Sequence, residues 1–513
     1  MPTTPSWPGV YVEELASGVR TIPLVATSVT AFVGRTLRGE ESAPIRLSSW
    51  SDFERQCGGL WVDSELGYSV YQFFLNGGST ALVSRVTDSE AQAASVTLTS
   101  TAGDLVLAAS SAGEWGNRIR VSVDHGTAGT PTATTDTNHF HLAIDEIDPE
   151  VLASTGNYMR SIVTRESFPN VSIEATASRS VTTILAQQSA LARVTTVPAA
   201  RPTGTSAIAA MTNGNDGTVA GMVKGDWDAA IDRLKRADIV NLVCIPPLNR
   251  TSDIGAPVWT KASEWCREHL AMLLIDPPSS WTSAQNAADL TGLTSLRDRN
   301  TAFYFPRIVA PDPLQSNVPR PFAPTGAVAG VISRTDATHG AWKPPAGNEA
   351  VLRGVTGLEQ SLTAASVGLI NRQGVNALRV QPASGPVVWG ARTSVGADAM
   401  ASDWKYLPVR RTGLIIEEAI SRGLQWAVFE PNGERLWGQI RLAVDSFMHQ
   451  LFRQGVFQGN KPSEAYLVRC DETTTTQTDI YNGTVNVIVG FAPLKAAEFV
   501  ILSYEQVAGQ VAS

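Results

Sequence analysis

The sequence predicts a multidomain protein that combines α/β and α+β parts. The chain has 513 residues, which is too long for a single hydrophobic core. Apolar, strand-like segments alternate with amphipathic helices near the N-terminus and again after residue 206. This alternation is typical of a parallel sheet covered by helices. Between these parts lies a stretch rich in Ser, Thr and Ala that has little helical periodicity.

We predict an N-terminal linker arm at residues 1–25. They contain the short apolar segment PGVYVEE and are interrupted by Pro8, Gly18 and Pro23. The segment has strand propensity but no partner close in sequence. We therefore expect an arm here, and not the start of a core.

Residues 26–90 predict the first part of an α/β core. TSVTAFVGRT alternates like a strand, and ALVSRV predicts a second strand. Between them, SELGYSVYQFFLNGG places Leu66, Val70 and Phe73 on one face of a helix. A strand–helix–strand unit predicts a parallel pair of strands.

Residues 91–205 predict a β-rich insertion domain, in which RIRVSV, HFHLAI and VSIEA read as strands separated by turns. Residues 206–398 predict the central α/β domain. There, IVNLVCIPP, AMLLIDPP and AFYFPRIV read as buried strands, and DWDAAIDRLKRAD and SEWCREHL read as helices.

Residues 399–497 predict a C-terminal α+β domain. LPVRRTGLIIEEAISRG and GERLWGQIRLAVDSFMHQLFRQG carry apolar stripes at helical spacing, and QWAVFE, EAYLVRC and TVNVIVGF predict strands. Residues 498–513 begin with another predicted strand, from Glu498 to Tyr504. Apolar groups at both odd and even positions of that strand require burial on both faces.

The composition argues against several classes of function. A net charge of −8 and a pI near 5.4 argue against binding to nucleic acid, which favours a basic face. No apolar run approaches the roughly 18 residues of a membrane span. The N-terminus lacks the pattern of a secretory signal, so we expect assembly in a cytoplasm. Cys57, Cys244, Cys266 and Cys470 lie far apart, which predicts reduced, buried thiols and no metal site.

Two tripeptides raise the alternative of a subtilisin-type hydrolase. HGT at His125 and GTS ending at Ser206 resemble the histidine and serine signatures of that class, and they occur in the correct order. However, no Asp-Thr-Gly or Asp-Ser-Gly motif precedes His125. The first tripeptide lies inside the predicted β-rich insertion, and the second lies at its C-terminal end. We expect no catalytic site.

Other motifs give little support for chemistry. The glycine-rich NGNDGTVAGMVKGDW lacks the Gly-Lys-Ser/Thr ending of a phosphate loop, so we interpret it as a turn before a helix capped by Asp226. His139 and His141 share one face of a predicted strand, but no third metal ligand follows from their spacing. The sequence predicts neither a cofactor nor a metal.

Several separate segments resemble the tail sheath proteins of contractile phages and contractile injection systems. They are PGVYVEE, FFLNGGSTALVSRV, SAGEWGNRIRVSV, YLPVRRTGLIIEEAI, LQWAVFEPNGERLW and EAYLVRCDETTTTQTDIYNGTVNVIVGFAPLKAAEFV. The last is the longest and the most specific. The segments span nearly the whole chain, and the coverage is weakest at 125–205.

The resemblance implies a structural subunit without an active site. Family sheaths stack as hexameric rings in a helix around an inner tube, and they contract to drive that tube through a target envelope. The implied partners are further copies of the chain, the inner tube protein, and baseplate and terminal cap proteins. It also implies a subtilisin-like fold for the central domain, an outward-facing insertion, and a C-terminal domain in the inner layer.

The resemblance further implies that both terminal arms add strands to a sheet in neighbouring subunits, as edge strands do. The N-terminal arm residues are Val10, Tyr11, Val12 and Glu13. Those of the C-terminal arm are Phe499, Val500, Ile501, Leu502 and Tyr504. Whether 498–504 is donated or stays in its own subunit is open at this point.

On the long C-terminal helix, charged residues outside the apolar stripe are candidates for contact with the inner tube. They are Glu434, Arg435, Arg441 and Arg453. A solvated helix face is the alternative. Two alternatives to a sheath subunit also stand: the hydrolase with Ser206 and His125, and a binding module whose terminal strands pair within its own fold. The sequence does not distinguish a phage tail from a bacteriocin-like particle or an intracellular injection system.

Overall fold

The computed structural model describes residues 20–125, 138–205, 207–218, 221–250 and 252–499. The chain divides into two compact units. Within the described residues, the larger unit comprises positions 28–338 and 345–405. The smaller unit comprises positions 20–27, 339–344 and 406–499.

Strands and helices are numbered in chain order. The strands are β1 (Thr30–Gly34), β2 (Ile45–Leu47), β3 (Ala81–Arg85), β4 (Ser95–Thr99), β5 (Asp104–Ala109), β6 (Ile119–Asp124), β7 (His139–Ile147), β8 (Ile162–Ser172), β9 (Ala192–Thr196), β10 (Ala209–Ala210), β11 (Leu242–Cys244), β12 (Met272–Ile275), β13 (Thr301–Phe305), β14 (Ile308–Asp312), β15 (Val318–Phe322), β16 (Gly357–Leu358), β17 (Val375–Gln381), β18 (Gly385–Val388), β19 (Tyr466–Arg469) and β20 (Ile488–Phe491). The α-helices are α1 (Trp50–Cys57), α2 (Glu65–Leu75), α3 (Pro149–Thr155), α4 (Tyr158–Ser161), α5 (Val181–Gln188), α6 (Lys224–Arg233), α7 (Ala256–Glu268), α8 (Ala284–Ala288), α9 (Thr325–His339), α10 (Ala364–Arg372), α11 (Leu407–Gly423), α12 (Glu434–Arg453), α13 (Pro462–Ala465) and α14 (Gln477–Tyr481). Short 3₁₀ helices lie at Glu114–Arg118, Leu234–Arg236, Thr294–Leu296, Pro313–Gln315, Asp398–Met400 and Gln425–Ala427.

An eight-stranded sheet forms the centre of the larger unit, in the order β18-β17-β13-β12-β11-β1-β3-β2. From β17 to β3 the neighbouring strands run parallel, and the outermost strands β18 and β2 pair antiparallel. Thr30 of β1 lies opposite Ala81 of β3, which confirms the parallel pair predicted from the strand–helix–strand pattern. Every residue of β13 is buried, as expected for a parallel strand with both faces covered.

Helix α9 packs against α2 at a distance that only glycine permits. A Cβ atom at Gly326 would lie 2.2 Å from the carbonyl oxygen of Ser69, and one at Gly330 would lie 2.4 Å from that of Phe73. The sequence patterns do not predict this helix. Every residue from Thr325 to Ser333 is buried, so the segment lacks the one-sided apolar stripe by which a helix is recognised.

The β-rich region of the larger unit contains two sheets around one apolar core. The strand orders are β4-β5-β9 and β10-β6-β7-β8. β6 and β7 confirm the strands predicted at RIRVSV and HFHLAI. The strand predicted at VSIEA is wrong in position, because β8 covers Ile162–Ser172 and ends where that prediction begins. The exposed residues of β8 lack the apolar alternation that identifies a half-buried strand.

The smaller unit packs α11 and α12 with the two-stranded sheet β19–β20. The strand predicted at QWAVFE is wrong: Gln425–Ala427 forms a 3₁₀ turn, and a bend follows it. Of the closing strand predicted from Glu498 to Tyr504, the structure describes only Glu498 and Phe499, which are not part of a strand. Val500, Ile501, Leu502 and Tyr504 lie outside the described residues, as do Val10, Tyr11, Val12 and Glu13 of the N-terminal arm.

Candidate subunit interface

Helix α12 has a packed side, which faces the core of the smaller unit, and an open side, which is exposed. Its sequence repeats apolar groups every three or four positions, which predicts one buried face. The structure confirms this face. The buried residues of α12 are Leu436, Trp437, Ile440, Ala443, Val444, Phe447, Met448 and Leu451.

Two of the four candidate tube-contact residues are bound within the unit. One Nη atom of Arg441 donates to the backbone oxygen of Cys470 at 2.7 Å. The other lies 3.5 Å from Oε1 of Glu434. Arg441 therefore joins α12 to the end of β19, which gives it a structural role.

The other two candidates, Arg435 and Arg453, are exposed on the open side of α12. They lie eighteen positions apart, which is about five helical turns and about 27 Å along one face. Neither forms an ion pair with another described residue. Between them on the same face is Leu442, which is 49% exposed.

The sheet β19–β20 is packed on only one face. The strands pair antiparallel, with Tyr466 opposite Phe491 and Val468 opposite Val489, and these four residues pack against the core of the unit. On the other face, Leu467 is 44% exposed and Ile488 is 50% exposed. Among the described residues no third strand joins this sheet. The exposed Leu467 and Ile488 and the absence of a third described strand favour pairing of this sheet with another segment.

Exposed apolar residues also collect where α12 begins. Phe429 is fully exposed, Val428 is 61% exposed and Tyr481 is 89% exposed. The side-chain amide of Asn432 donates to the backbone oxygen of Thr484 at 3.0 Å, which ties the segment before α12 to the turn after α14. Phe429 has a φ of +71°, a left-handed conformation that is unfavourable for a bulky side chain.

The chain between the N-terminal arm and β1 is anchored on the smaller unit. The guanidinium of Arg20 lies 4.4 Å from the ring centroid of Trp426, and Ile22 is 4% exposed within the apolar core. A guanidinium nitrogen of Arg411 donates to the backbone oxygen of Thr27 at 2.9 Å. The predicted arm at 1–25 therefore overlaps, from residue 20 onward, with a packed segment. The sequence signal for this contact is the adjacent arginine pair in LPVRRTG. Both arginines are buried, and one of them binds the segment before β1.

Of the two residues proposed for the hydrolase alternative, the structure describes His125 but not Ser206. Nε2 of His125 lies 2.7 Å from the backbone oxygen of Pro202. A carbonyl oxygen only accepts, so Nε2 carries the proton and donates it, which is the wrong state for a general base at that atom. Ser206 lies outside the described residues. Burial raises the pKa of all four cysteine thiols, and all four are buried and free, as predicted.

His139 and His141 lie on one face of β7, as their spacing predicts. Within the described ranges, no three His, Cys, Asp or Glu side chains are grouped so that they could hold a metal ion. In the same part of the chain, no helix is long and apolar enough to cross a lipid bilayer.

Buried carboxyl groups lie near the carboxyl end of the parallel sheet. Asp276 follows β12 and accepts from the backbone nitrogen of Thr325 at 2.9 Å and from its hydroxyl at 2.7 Å. Burial raises the pKa of Asp276 to about 7, although the two hydrogen bonds from Thr325 oppose the shift. Burial also raises the pKa of Glu65, whose Oε2 accepts from the backbone nitrogen of Ala323.

Two family models match this chain. The model of the phage tail sheath protein central domain matches residues 220–394, and that of the phage tail sheath C-terminal domain matches residues 400–506. Together they cover more than half of the chain. The chain belongs to the phage tail sheath family. It is a structural subunit of a contractile sheath, in a phage tail-like particle. No curated protein sequence matches it at a significant level.

Solved structures of sheath proteins share the fold of this sheath subunit. The sheath complex of the extracellular contractile injection system PVC, in its contracted state, is 21% identical over 99% of both chains, with a TM-score of 0.58. The contracted helical sheath of the anti-feeding prophage is 23% identical over 98% of this chain and 100% of that chain, with a TM-score of 0.56. The sheath tail protein from Listeria innocua is 13% identical over 93% and 97%, with a TM-score of 0.61.

Proposed function

We propose that this subunit polymerises as stacked hexameric rings around an inner tube and that contraction of the polymer drives the tube through a target envelope. The observation that carries the proposal is the sheet β19–β20, with the exposed apolar residues Leu467 and Ile488 and no third strand among the described residues. A strand added from another subunit satisfies the edge and covers apolar surface. A head-to-tail contact of this kind extends into a helix instead of closing on itself.

The donated strands come from the two arms of neighbouring subunits. Residues Val10 to Glu13 supply one, and the segment that begins at Phe499 supplies the other. Phe499 is 75% exposed, which supports its burial by a neighbour and not by its own subunit. The packing of Arg20 on Trp426 gives the N-terminal arm a fixed starting point at the smaller unit.

The larger unit acts as a folded body without an enzymatic role. Its mostly parallel sheet supports a subtilisin-like central domain at 206–398, completed by residues 26–90. The residues 91–205 form an outward-facing insertion, and 399–497 form the inner layer. The Nε2 contact of His125 with a carbonyl oxygen supports a role without catalysis. Assembly takes place in the cytoplasm, and baseplate, inner tube and terminal cap proteins are the further partners.

The contact with the inner tube is made by Arg435 and Arg453. Both are exposed on one face of α12, whereas Arg441 pairs with Glu434 and donates to the Cys470 backbone oxygen after β19. Exposed charges interact weakly and are screened by salt, which suits a tube that must be released on contraction.

Negative-stain electron microscopy tests the assembly. The full chain is expected to form long hollow tubes when it is co-expressed with the tube protein of its particle. A variant lacking residues 2–19 keeps Arg20 and is expected to remain folded but to form no long tubes. Thr183→Ala, an exposed change on α5, is the matched control. Tubes of normal length from the deletion variant would contradict the proposed role of the arm.

Co-sedimentation with tube protein tests the contact. The double variant Arg435→Glu, Arg453→Glu is expected to lose tube binding, and binding of the natural chain is expected to weaken as salt rises. Retained binding by the double variant would exclude this face as the contact.

A further inference from the structure

A groove with a cavity volume of about 830 Å³ lies in the larger unit between the α1–α2 connection and the β-rich region. The residues that line it include Leu60, Trp61, Trp115, Pro149 and Val163. The groove is separate from β19–β20 and α12, to which the assembly contacts above are assigned. Every residue that lines the groove belongs to the part of the chain that the structure describes.

Two hydrogen-bond donors in the groove have no acceptor. Trp115 is 5% exposed, and its Nε1–H is buried without a partner among the described residues. Nε of Arg38 is also buried without a partner among the described residues. One Nη of the same side chain donates to Glu146 at 2.8 Å. Buried donors that are left unpaired are rare and costly. Both nitrogens are buried, so the exposed charges and apolar groups of the groove determine what it can bind.

Apolar side chains at the mouth of the groove are exposed. Val62 is 40% exposed, Val163 is 64% exposed and Leu314 is 49% exposed. They come from three separate parts of the larger unit and share this groove. Single exposed apolar residues need no explanation, but a group of them around a concave site is typical of a binding surface.

The charges of the groove are unequal. Six carboxylates and three guanidinium groups line it: Glu54, Glu114, Glu146, Asp148, Glu150 and Asp216, and Arg38, Arg118 and Arg120. One pair is already neutralised, since Arg38 binds Glu146. The excess of negative charge favours a cationic occupant.

We propose that this groove binds a cationic, partly apolar peptide segment of a neighbouring copy of the chain. The inference rests on the proposed function, because a sheath surrounds each subunit with other copies. The occupant places Arg or Lys side chains against the carboxylates and covers the exposed apolar residues of the groove. The chain carries exposed cations that meet this description in another copy, among them Arg372 and Lys461.

Site-directed cross-linking identifies the occupant. All four native cysteines are buried, so a maleimide–benzophenone reagent on Glu150→Cys reacts at the groove alone. Tubes are assembled from a mixture of labelled Glu150→Cys subunits and isotopically heavy natural subunits, irradiated and analysed by mass spectrometry. We expect cross-links to heavy peptides that contain Arg or Lys. Thr183→Cys, exposed on α5 outside the groove, is the matched control and is expected not to yield those peptides.

The charge of the groove supplies a second test. Glu54→Lys, Glu150→Lys is expected to reduce the yield of assembled tubes at least tenfold, and Glu54→Gln, Glu150→Gln to reduce it less. If Glu150→Cys does not assemble, Val163→Cys replaces it as a second exposed position in the groove. Normal tube yield from the lysine variant, or cross-links only within one subunit or to another protein, would overturn the proposal. Absence of tubes from the natural chain would instead contradict the proposed function itself.

Discussion

The eight-stranded sheet of the larger unit is covered on both faces, whereas the two-stranded sheet of the smaller unit is covered on one. In β13 every residue from Thr301 to Phe305 is buried. In β19–β20, Leu467 and Ile488 are about half exposed, at 44% and 50%. Burial of apolar surface is the main favourable term in folding. The larger sheet therefore stabilises its unit by itself, and the smaller sheet leaves apolar surface for other contacts.

The phenylalanines of the smaller unit show the same contrast over a short distance. Phe447 is 2% exposed in the core beneath α12, and Phe429, just before that helix, is fully exposed. One residue type therefore serves the fold at one position and is available for contacts at the other. Variants that separate the two roles test the comparison.

The largest expected effect comes from the buried ring. Phe447→Ala removes a side chain from a packed core and is expected to lower the free energy of unfolding by about 3–5 kcal/mol. Phe429→Ala is expected to change it by less than about 0.5 kcal/mol, as surface changes usually do. Denaturant unfolding of the unassembled protein measures both. A similar loss in the two variants would break the comparison.

A buried carboxyl group gives the larger unit a pH dependence. The pKa of Asp276 is about 7 in the fold, against an ordinary value of 3.8, so the fold favours the protonated form. The Asp276 carboxyl therefore contributes favourably to the free energy of unfolding below a pH of about 3.8. This contribution is lost as the pH rises to about 7. Asp276→Asn keeps an acceptor for the Thr325 backbone nitrogen and cannot ionise. It is expected to raise the free energy of unfolding at pH 8 by up to about 4 kcal/mol.

Unfolding curves between pH 4 and pH 8 measure this effect. The asparagine variant should show a flatter dependence on pH than the natural chain, with little difference between the two at pH 4. Asp104→Asn, at an exposed position of β5, is the matched control. Parallel curves for Asp276→Asn and the natural chain would contradict the prediction.

Arg441 and Arg435 of α12, one bound within the unit and one exposed, should separate folding from binding. Arg441→Ala removes the bond to the Cys470 backbone oxygen and is expected to cost about 1–2 kcal/mol of the free energy of unfolding. Arg435→Ala is expected to leave stability unchanged and to weaken tube binding. Thermal unfolding and co-sedimentation, measured on both variants, give the comparison. Equal stability losses would mean that Arg435 also has a partner in the fold.

The smallest effect concerns the backbone of Phe429. Phe429→Gly removes the cost of a bulky residue at a φ of +71° and is expected to stabilise the unassembled subunit by about 0.5–1 kcal/mol. If the ring contacts another subunit, the same variant assembles less well while being more stable. Unfolding and tube yield are measured together. Lower stability of the glycine variant would show that the ring supports its own fold.

The elements predicted correctly are those in which local pattern and tertiary burial agree. The apolar runs around Leu242, Met272 and Thr301 became buried parallel strands, since only a strand covered on both faces is apolar throughout. The stripe of α12 predicted its buried face for the same reason. The strand predicted at QWAVFE failed, because its apolar residues lie in a turn and Phe429 is exposed.

Other features depend on neighbours that the sequence does not reveal. Charge and helical spacing placed Arg441 with Arg435 and Arg453, but only packing brought Arg441 within 2.7 Å of the Cys470 oxygen. Helix α9 has no one-sided stripe, and its place depends on the approach of Gly326 and Gly330 to α2. The groove joins residues from positions 37 to 314, which no local pattern can bring together.

The sequence by itself determined the alternation of strands and helices, the family and the class of function, because these follow from short-range periodicity and from motifs in order. The tertiary structure decided which charged residues are bound within the fold and which remain exposed. It also decided which apolar side chains stay outside the core. Those outcomes depend on burial and on distances between segments far apart in the chain, and neither quantity is encoded in the spacing of residues along it.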